Sequence, residues 1–150
     1  WPTLSTTRGR ILFAWDETGA LRARYLVNGN ALTGRLFFVD SAPGDPFAAV
    51  AVLNDPVGNA GAIAGALAAG MLVRTRADTD GIEPSRGDFT RLEAALASGA
   101  HIISTDYPEW DGGQPYAVHI PGGTPSRCNP VTTVDAGCSS DQLEVPHGLR

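Results

Sequence analysis

The sequence predicts an α/β fold built on a parallel β-sheet, and three observations carry that expectation. Five short apolar runs each stop abruptly in charged or polar residues: Arg10-Ile-Leu-Phe-Ala-Trp-Asp16, Arg35-Leu-Phe-Phe-Val-Asp-Ser41, Ala48-Ala-Val-Ala-Val-Leu-Asn-Asp55, Met71-Leu-Val-Arg-Thr-Arg-Ala-Asp78 and His101-Ile-Ile-Ser-Thr-Asp-Tyr107. A short continuous apolar run marks a strand covered on both faces, as parallel strands are. Segments of helical length separate the last three runs, so strand and helix alternate as in βαβ units. Finally, 150 residues with 43% hydrophobic content can bury one good core, and 18 glycines and 11 prolines suit many short loops.

Taken in order, Trp1 to Gly9 reads as the end of a helix or loop that leads into the first strand. Leu21 to Val27 is a short helical candidate, closed by the turn residues Asn28-Gly29-Asn30. Ser41-Ala-Pro-Gly-Asp-Pro46 is a stiff loop after the second run. Asn59 to Ala69 has helical length and ends at Gly70. Asp88 to Ser98 is the clearest helix, with Asp88 as expected N-cap, Gly99 at the stop, and Phe89, Leu92 and Leu96 on one face. Beyond Pro108 the chain is loop-rich, apart from a short strand expected at Tyr116 to Ile120. Residues 1–110 thus form the strand-and-helix part and 111–150 a tail of the same domain. Five such strands suit an open doubly wound sheet or the last five of an eight-stranded barrel, and composition does not separate the two.

Charge and cysteine content narrow the function classes. The net charge of -5, with no basic cluster, argues against nucleic-acid binding, because nothing would neutralise phosphates along a backbone. All eleven basic residues are arginine, which GC-rich coding alone can produce. No apolar run approaches the roughly 18 residues that span a bilayer. Cys128 and Cys138 have no neighbouring cysteine or histidine pair to complete a four-ligand metal site, so a disulfide is the better reading. Closing so short a loop stabilises by about 2.7 kcal/mol in the chain-entropy model, and it points to a compartment outside the reducing cytosol. Trp1-Pro-Thr-Leu-Ser does not resemble a signal peptide, so either one has been removed or the chain starts within something longer.

The polar ends of the five runs gather at one rim of a parallel sheet, the carboxyl ends of the strands, where ligands bind in such folds. Arg74 and Arg76 lie two apart on one strand and so point to the same face, a natural clamp for phosphate or carboxylate. The plainer alternative is structural pairing with Asp78, Asp80 or Asp106. Asp106 sits where the last strand meets its loop, either orienting a histidine or accepting a substrate hydroxyl, or simply capping the loop before Pro108. Tyr107 and Trp110 form an aromatic wall for a sugar-like ring or a lipid interface, or pack in the core. Asp16, Asp40 and Asp55 are oxygen donors for a hard cation such as calcium, with Asp16 first among them, though each also suits a turn. Asp40 also joins the substrate-binding candidates at the rim. His101 opens the last strand at the opposite end, and His119 and His147 lie in the tail, so none is placed as a general base. There is no Gly-rich phosphate loop and no Gly-x-Ser-x-Gly elbow, which weakens nucleotide and α/β-hydrolase readings.

Several segments together resemble one family. They are Trp1-Pro-Thr-Leu4, the Arg10–Asp16 run, Val39-Asp-Ser-Ala-Pro-Gly-Asp45, Leu72-Val-Arg-Thr-Arg-Ala-Asp78, Ala95-Leu-Ala-Ser-Gly-Ala100, Ile103-Ser-Thr-Asp-Tyr-Pro108 and Arg127-Cys-Asn-Pro-Val131. Over nearly the whole chain they resemble the calcium-dependent phosphoinositide-specific phospholipase C family of actinobacteria, most specifically in Arg-Thr-Arg-Ala-Asp and Ser-Thr-Asp-Tyr-Pro. The last strand is more distantly similar to that of glycerophosphodiester phosphodiesterases. The resemblance implies a TIM-like barrel, secretion, a bound calcium ion, transient contact with a membrane surface, and cleavage of phosphatidylinositol to inositol phosphate and diacylglycerol. It implies two catalytic histidines on the first strands of the barrel, as general base and general acid. The five runs here correspond to the fourth through eighth strands, so the resemblance covers the C-terminal half and lacks the histidine-bearing half. Arg74 and Arg76 then match a motif that binds phosphate or inositol hydroxyls, Asp106 one that orients a histidine, and Tyr107 a residue lining the inositol pocket. Asp16 matches a position near calcium, and Cys128 with Cys138 a family disulfide. A glycerophosphodiester phosphodiesterase and a noncatalytic sugar-phosphate-binding fragment are the alternatives.

Half a barrel would leave inner-face side chains, expected to include Phe37, Val39 and Ile103, without packing partners. Exposing about ten of them costs on the order of 15 kcal/mol, comparable to a domain's net stability. The chain by itself is therefore expected to be marginal, oligomeric or aggregation-prone. Sedimentation and thermal melting check this, and a monomer with a sharp, reversible melt would contradict it.

Overall fold

The computed structural model describes residues 1–110, 112–113, 115–122, 125–133, 137–140 and 143. His147 lies outside them. Helix α1 (Leu4–Thr7) precedes β1 (Ala14–Trp15), α2 (Gly19–Tyr25), β2 (Phe38–Val39), β3 (Val50–Val52), α3 (Ala60–Ala68), β4 (Leu72–Arg76), α4 (Ile82–Arg86), α5 (Thr90–Ala97) and β5 (Ile102–Ser104). All the strands run parallel to their neighbours, in two small sheets, β1-β2 and β3-β4-β5. A parallel bridge between Asp40 and Val50 links β2 to β3. Among the described residues, neighbours in space are therefore neighbours in sequence, with no reversal of strand order of the kind that defines a doubly wound sheet.

The strands are shorter than the apolar runs, because the runs outlast the pairing. In the first, Ile11 is 80% exposed, and the ladder reaches back only to the N–H of Phe38, which donates to the carbonyl of Phe13 at 2.9 Å. Past Val39 the backbone of Asp40 still bridges to Val50, while its side chain reaches β3: the N–H of Val52 donates to Oδ1 of Asp40 at 2.8 Å. The connection from β2 to β3 has no helix. Its stiffness comes from Asp45, which accepts from the N–H of Ala42 at 2.8 Å, and from Ser41, whose hydroxyl donates to the carbonyl of Val50 at 2.7 Å.

Alternation along the strands sets two faces. Val73 and Thr75 of β4 are fully buried, whereas Leu72, Arg74 and Arg76 are half-buried. Under the first face, Ile63 and Ala66 of α3 pack with Ala51, Met71, Val73 and Ala100 into the core. Burying one such isoleucine contributes about 2 kcal/mol. The register carries this phase across the sheets, so Val39 and Ile103 belong to the helix-covered side, opposite to the expected inner face. Val39 is fully buried, and the open side carries Ile102, 46% exposed. The error is one residue of phase, which in a strand exchanges the two faces.

The helices are close to expectation, with shifts at their ends. α2 starts two residues before Leu21, and the hairpin-like turn after it holds Asn28 and Gly29 at positive φ (51° and 75°). The N-cap of α5 is Phe89, not Asp88; Asp88 instead accepts from the N–H of Thr90 at 2.9 Å. The short helix α4 was not expected, since Ile82-Glu-Pro-Ser-Arg86 carries no apolar period. The strand expected at Tyr116 to Ile120 does not form. Tyr116 turns inward there, stacking on Phe89 at 4.9 Å and donating its hydroxyl to the carbonyl of Ala77 at 2.9 Å. Burial, with Asp78 and other carboxylates nearby, pushes that phenol up to about 12.

Residues 127–131 lie at the amino end of the sheet. Cys128 and Cys138 form a disulfide. Beside it, Arg127 donates to the carbonyl of Leu96, and Asn129 to that of Gly99 at 2.7 Å. At the same end, the indole N–H of Trp1 donates to the carbonyl of Gly70 at 3.0 Å, and its ring lies 5.3 Å from that of Phe38. Gly99, at φ 79°, leaves no room for a side chain, because a Cβ there would lie 2.7 Å from Cγ2 of Val131. Gly61, inside α3, has open space around it. Urea denaturation should show Gly99→Ala destabilising by about 1–3 kcal/mol, while Gly61→Ala stabilises by about 1 kcal/mol.

Candidate functional site

The rim at the carboxyl ends of the strands is built around three arginines, each held by groups from other elements. Arg74 donates to Oδ1 of Asn54, which follows β3, and lies 3.6 Å from Oδ2 of Asp16, which follows β1. Arg76 places Nη2 at 2.7 Å from Oδ2 of Asp106 and 3.4 Å from Oδ1 of Asp78. Arg91 of α5 donates through Nε to Glu83 at 2.8 Å and through Nη1 to Asp55 at 3.0 Å. The first two share a face of β4 because they are two residues apart on a strand.

The carboxylates divide by burial. Asp106 and Asp16 are exposed, with side chains 67% and 61% accessible, whereas Asp78 is fully buried. Asp78 receives the hydroxyl of Thr105 on Oδ2, and on Oδ1 the N–H of Asp106 at 3.3 Å. Thr105 in turn accepts from the N–H of Tyr107 at 2.9 Å. The ring of Tyr107 meets that of Tyr116 edge-on at 5.8 Å, and its hydroxyl lies against Gly81. Asp40 is half-buried, and burial raises its pKa, with a further upward contribution from the charge of Asp16. Asp55 is a turn residue: it accepts from the N–H of Val57 at 3.2 Å and anchors Arg91. Nε of Arg76 is buried and makes no hydrogen bond to the described residues, so its fork is incompletely used by them.

Of the sequence-predicted residues, Asp16, Arg74, Arg76, Asp106 and Tyr107 therefore come to one rim, with Asp40 beside Asp16. Trp110 is exposed and lines a shallow groove with Phe89, Pro115, Tyr116 and His119. His101 stands at the other end, where its Nδ1 accepts from the N–H of Val73 at 3.2 Å, and burial lowers its pKa. The expected set lacks Asn54 and Thr105, which the packing of neighbouring strands brings in, and Arg91 with Glu83, which α5 and α4 supply. Asp78 was expected only as a partner for the arginines; its position two residues after Arg76 was the available signal.

A sequence profile for Ca2+-dependent phosphoinositide phospholipase C matches residues 1–130. The chain belongs to that family. No curated protein and no solved structure matches it. The family is Ca2+-dependent, and calcium takes 6–8 oxygen ligands. Among the described residues of this phospholipase C family member, no three metal-ligating side chains converge. Of the expected calcium ligands, Asp40 commits one oxygen to β3 and Asp16 faces Arg74. These residues do not by themselves fit a calcium ion. No helix among the described residues is long and apolar enough to cross a membrane.

Burial pushes the Glu83 carboxyl up, but hydrogen bonds from Arg91 and from the N–H of Thr79 outweigh it, so its pKa falls below the ordinary 4.5. The stability it contributes is present above that ordinary value and is lost as pH falls through the lowered one. Arg91→Ala should cost about 2 kcal/mol near neutral pH and flatten the acid limb of the stability profile, measured by urea denaturation across a pH series.

Proposed function

We propose that this chain is part of a secreted phosphoric diester hydrolase that cleaves phosphatidylinositol in a calcium-dependent way, with the rim of β3, β4 and β5 holding the headgroup. The observation that carries the reading is the placement of Arg74 and Arg76 on one face of β4 at the carboxyl end, in a chain of this family. Two guanidinium groups in fixed positions suit the non-bridging oxygens of a phosphodiester and the hydroxyls of inositol. Asp106 is exposed and bonded to Arg76, so an incoming phosphate would exchange with it, freeing that carboxylate to orient a catalytic group. Tyr107, held between Tyr116 and Gly81, would line the ring pocket, with Asp40 at its far side.

The strictly sequential parallel order and an open face carrying Arg74, Arg76 and Ile102 support a barrel portion that further strands complete. Those strands would supply the histidine base and acid, and the remaining calcium ligands, that this rim lacks. The disulfide supports an extracellular setting, and exposed Trp110 a passing contact with the membrane surface that presents the lipid.

Release of inositol phosphate from phosphatidylinositol vesicles tests the reading, comparing the 150-residue chain with a protein extended upstream in its reading frame. The extended protein should be active only with calcium, and Arg76→Ala should lower its rate by about 100-fold or more. Headgroup binding without turnover in both forms would overturn the enzyme and leave a binding module.

A further inference from the structure

All three of the rim groups Arg76, Asp106 and Tyr107 depend on one side chain. Asp78 is fully buried, and a buried carboxylate is stable only when charge and hydrogen bonds compensate its lost hydration. Its compensation comes from two strands: Nη2 of Arg76 on β4, and the Thr105 hydroxyl and Asp106 N–H just after β5. Thr105 passes the constraint on to the backbone of Tyr107. Arg76 therefore has two counter-ions of different kinds. The Asp106 carboxylate is mostly in water and can leave; the Asp78 carboxylate has no water to leave for.

Resting on the phosphate-clamp reading above, we propose that Asp78 is the positioning residue of that clamp: it holds the Arg76 guanidinium and the 105–107 backbone in their binding geometry while Asp106 is displaced. Charge alone predicts the opposite of positioning. Removing an anion beside Arg76 should strengthen phosphate binding if only Coulomb attraction matters, and weaken it if Asp78 keeps the fork in place.

Arginine side-chain NMR on the full chain, titrated with inorganic phosphate, separates the two. The buried Nε–H of Arg76 is the reporter, and its exchange rate with solvent is measured first, without phosphate. In Asp78→Asn that exchange should quicken by about 10-fold or more, and phosphate affinity should fall by a similar factor. Asp106→Asn, which frees the exchangeable contact, should instead bind phosphate a few-fold more tightly. Should Asp78→Asn fail to fold, Thr105→Val keeps the carboxylate and removes one of its ties, and is expected to weaken phosphate binding by about 3-fold. Unchanged or tighter binding in Asp78→Asn, or in Thr105→Val unchanged affinity, overturns the proposal. A wild-type chain whose Arg76 signal ignores phosphate overturns the clamp reading instead, and the exchange comparison then decides alone whether Asp78 holds the guanidinium.

Discussion

The alternation of β4 is the constraint on which the rest of the molecule rests, because this five-residue strand is flanked by neighbours on both edges and has helices on one side. Val73 and Thr75 are committed to the helix-covered side, Val73 through contact with the core under α3 and Thr75 through a hydrogen bond to the carbonyl of Leu53. With those two fixed, the geometry of a strand leaves Arg74 and Arg76 no choice of face. The core thus aims the charged groups. Fully burying Val73 and Thr75 is what keeps two guanidinium groups on the opposite side, although neither arginine is itself part of the packing.

A second constraint is polar satisfaction at strand ends. At two places on the rim a carboxylate side chain takes up a backbone N–H near a strand end. Asp40 does this for β3, and Asp78 for the segment after β5. Such carboxylates have both a structural and an electrostatic effect, since each satisfies a backbone N–H and leaves negative charge at the rim. Asp16, Asp40, Asp55, Asp78, Glu83 and Asp106 surround Arg74, Arg76 and Arg91, so the rim is acidic on balance. The carboxylate nearest Arg76, that of Asp106, is the solvated one, so an anion at Arg76 would exchange with it.

Much of this was legible in the sequence, for physical reasons that differ by element. The parallel strands and α3 and α5 follow from apolar runs and periodicity, and the shared face of Arg74 and Arg76 follows from their spacing alone. Strand length did not follow, because pairing depends on neighbours: Ile11 and Leu12 are apolar yet lie outside the ladder and exposed. The expected inner-face residues were one position out of phase, since a run such as Leu36-Phe-Phe-Val39 is apolar at every position and carries no phase. Tyr116 reads as a strand residue locally, but the open carbonyl of Ala77 and the ring of Phe89 draw it inward. Asn54 and Thr105 entered the site through pairing between strands, about which a single segment is silent.

The disulfide has one more consequence. Its two cysteines are ten residues apart and both lie in the tail, so the covalent ring encloses no part of the sheet. Among the described residues, the ring is fastened to the sheet by the hydrogen bonds from Arg127 and Asn129 to the end of α5 and by the fit of Val131 over Gly99. Those contacts are weak singly and clustered in space, so they break together. The disulfide therefore leaves the attachment of residues 127–131 to noncovalent contacts, and losing those contacts would bare the amino end of the core without opening the cross-link.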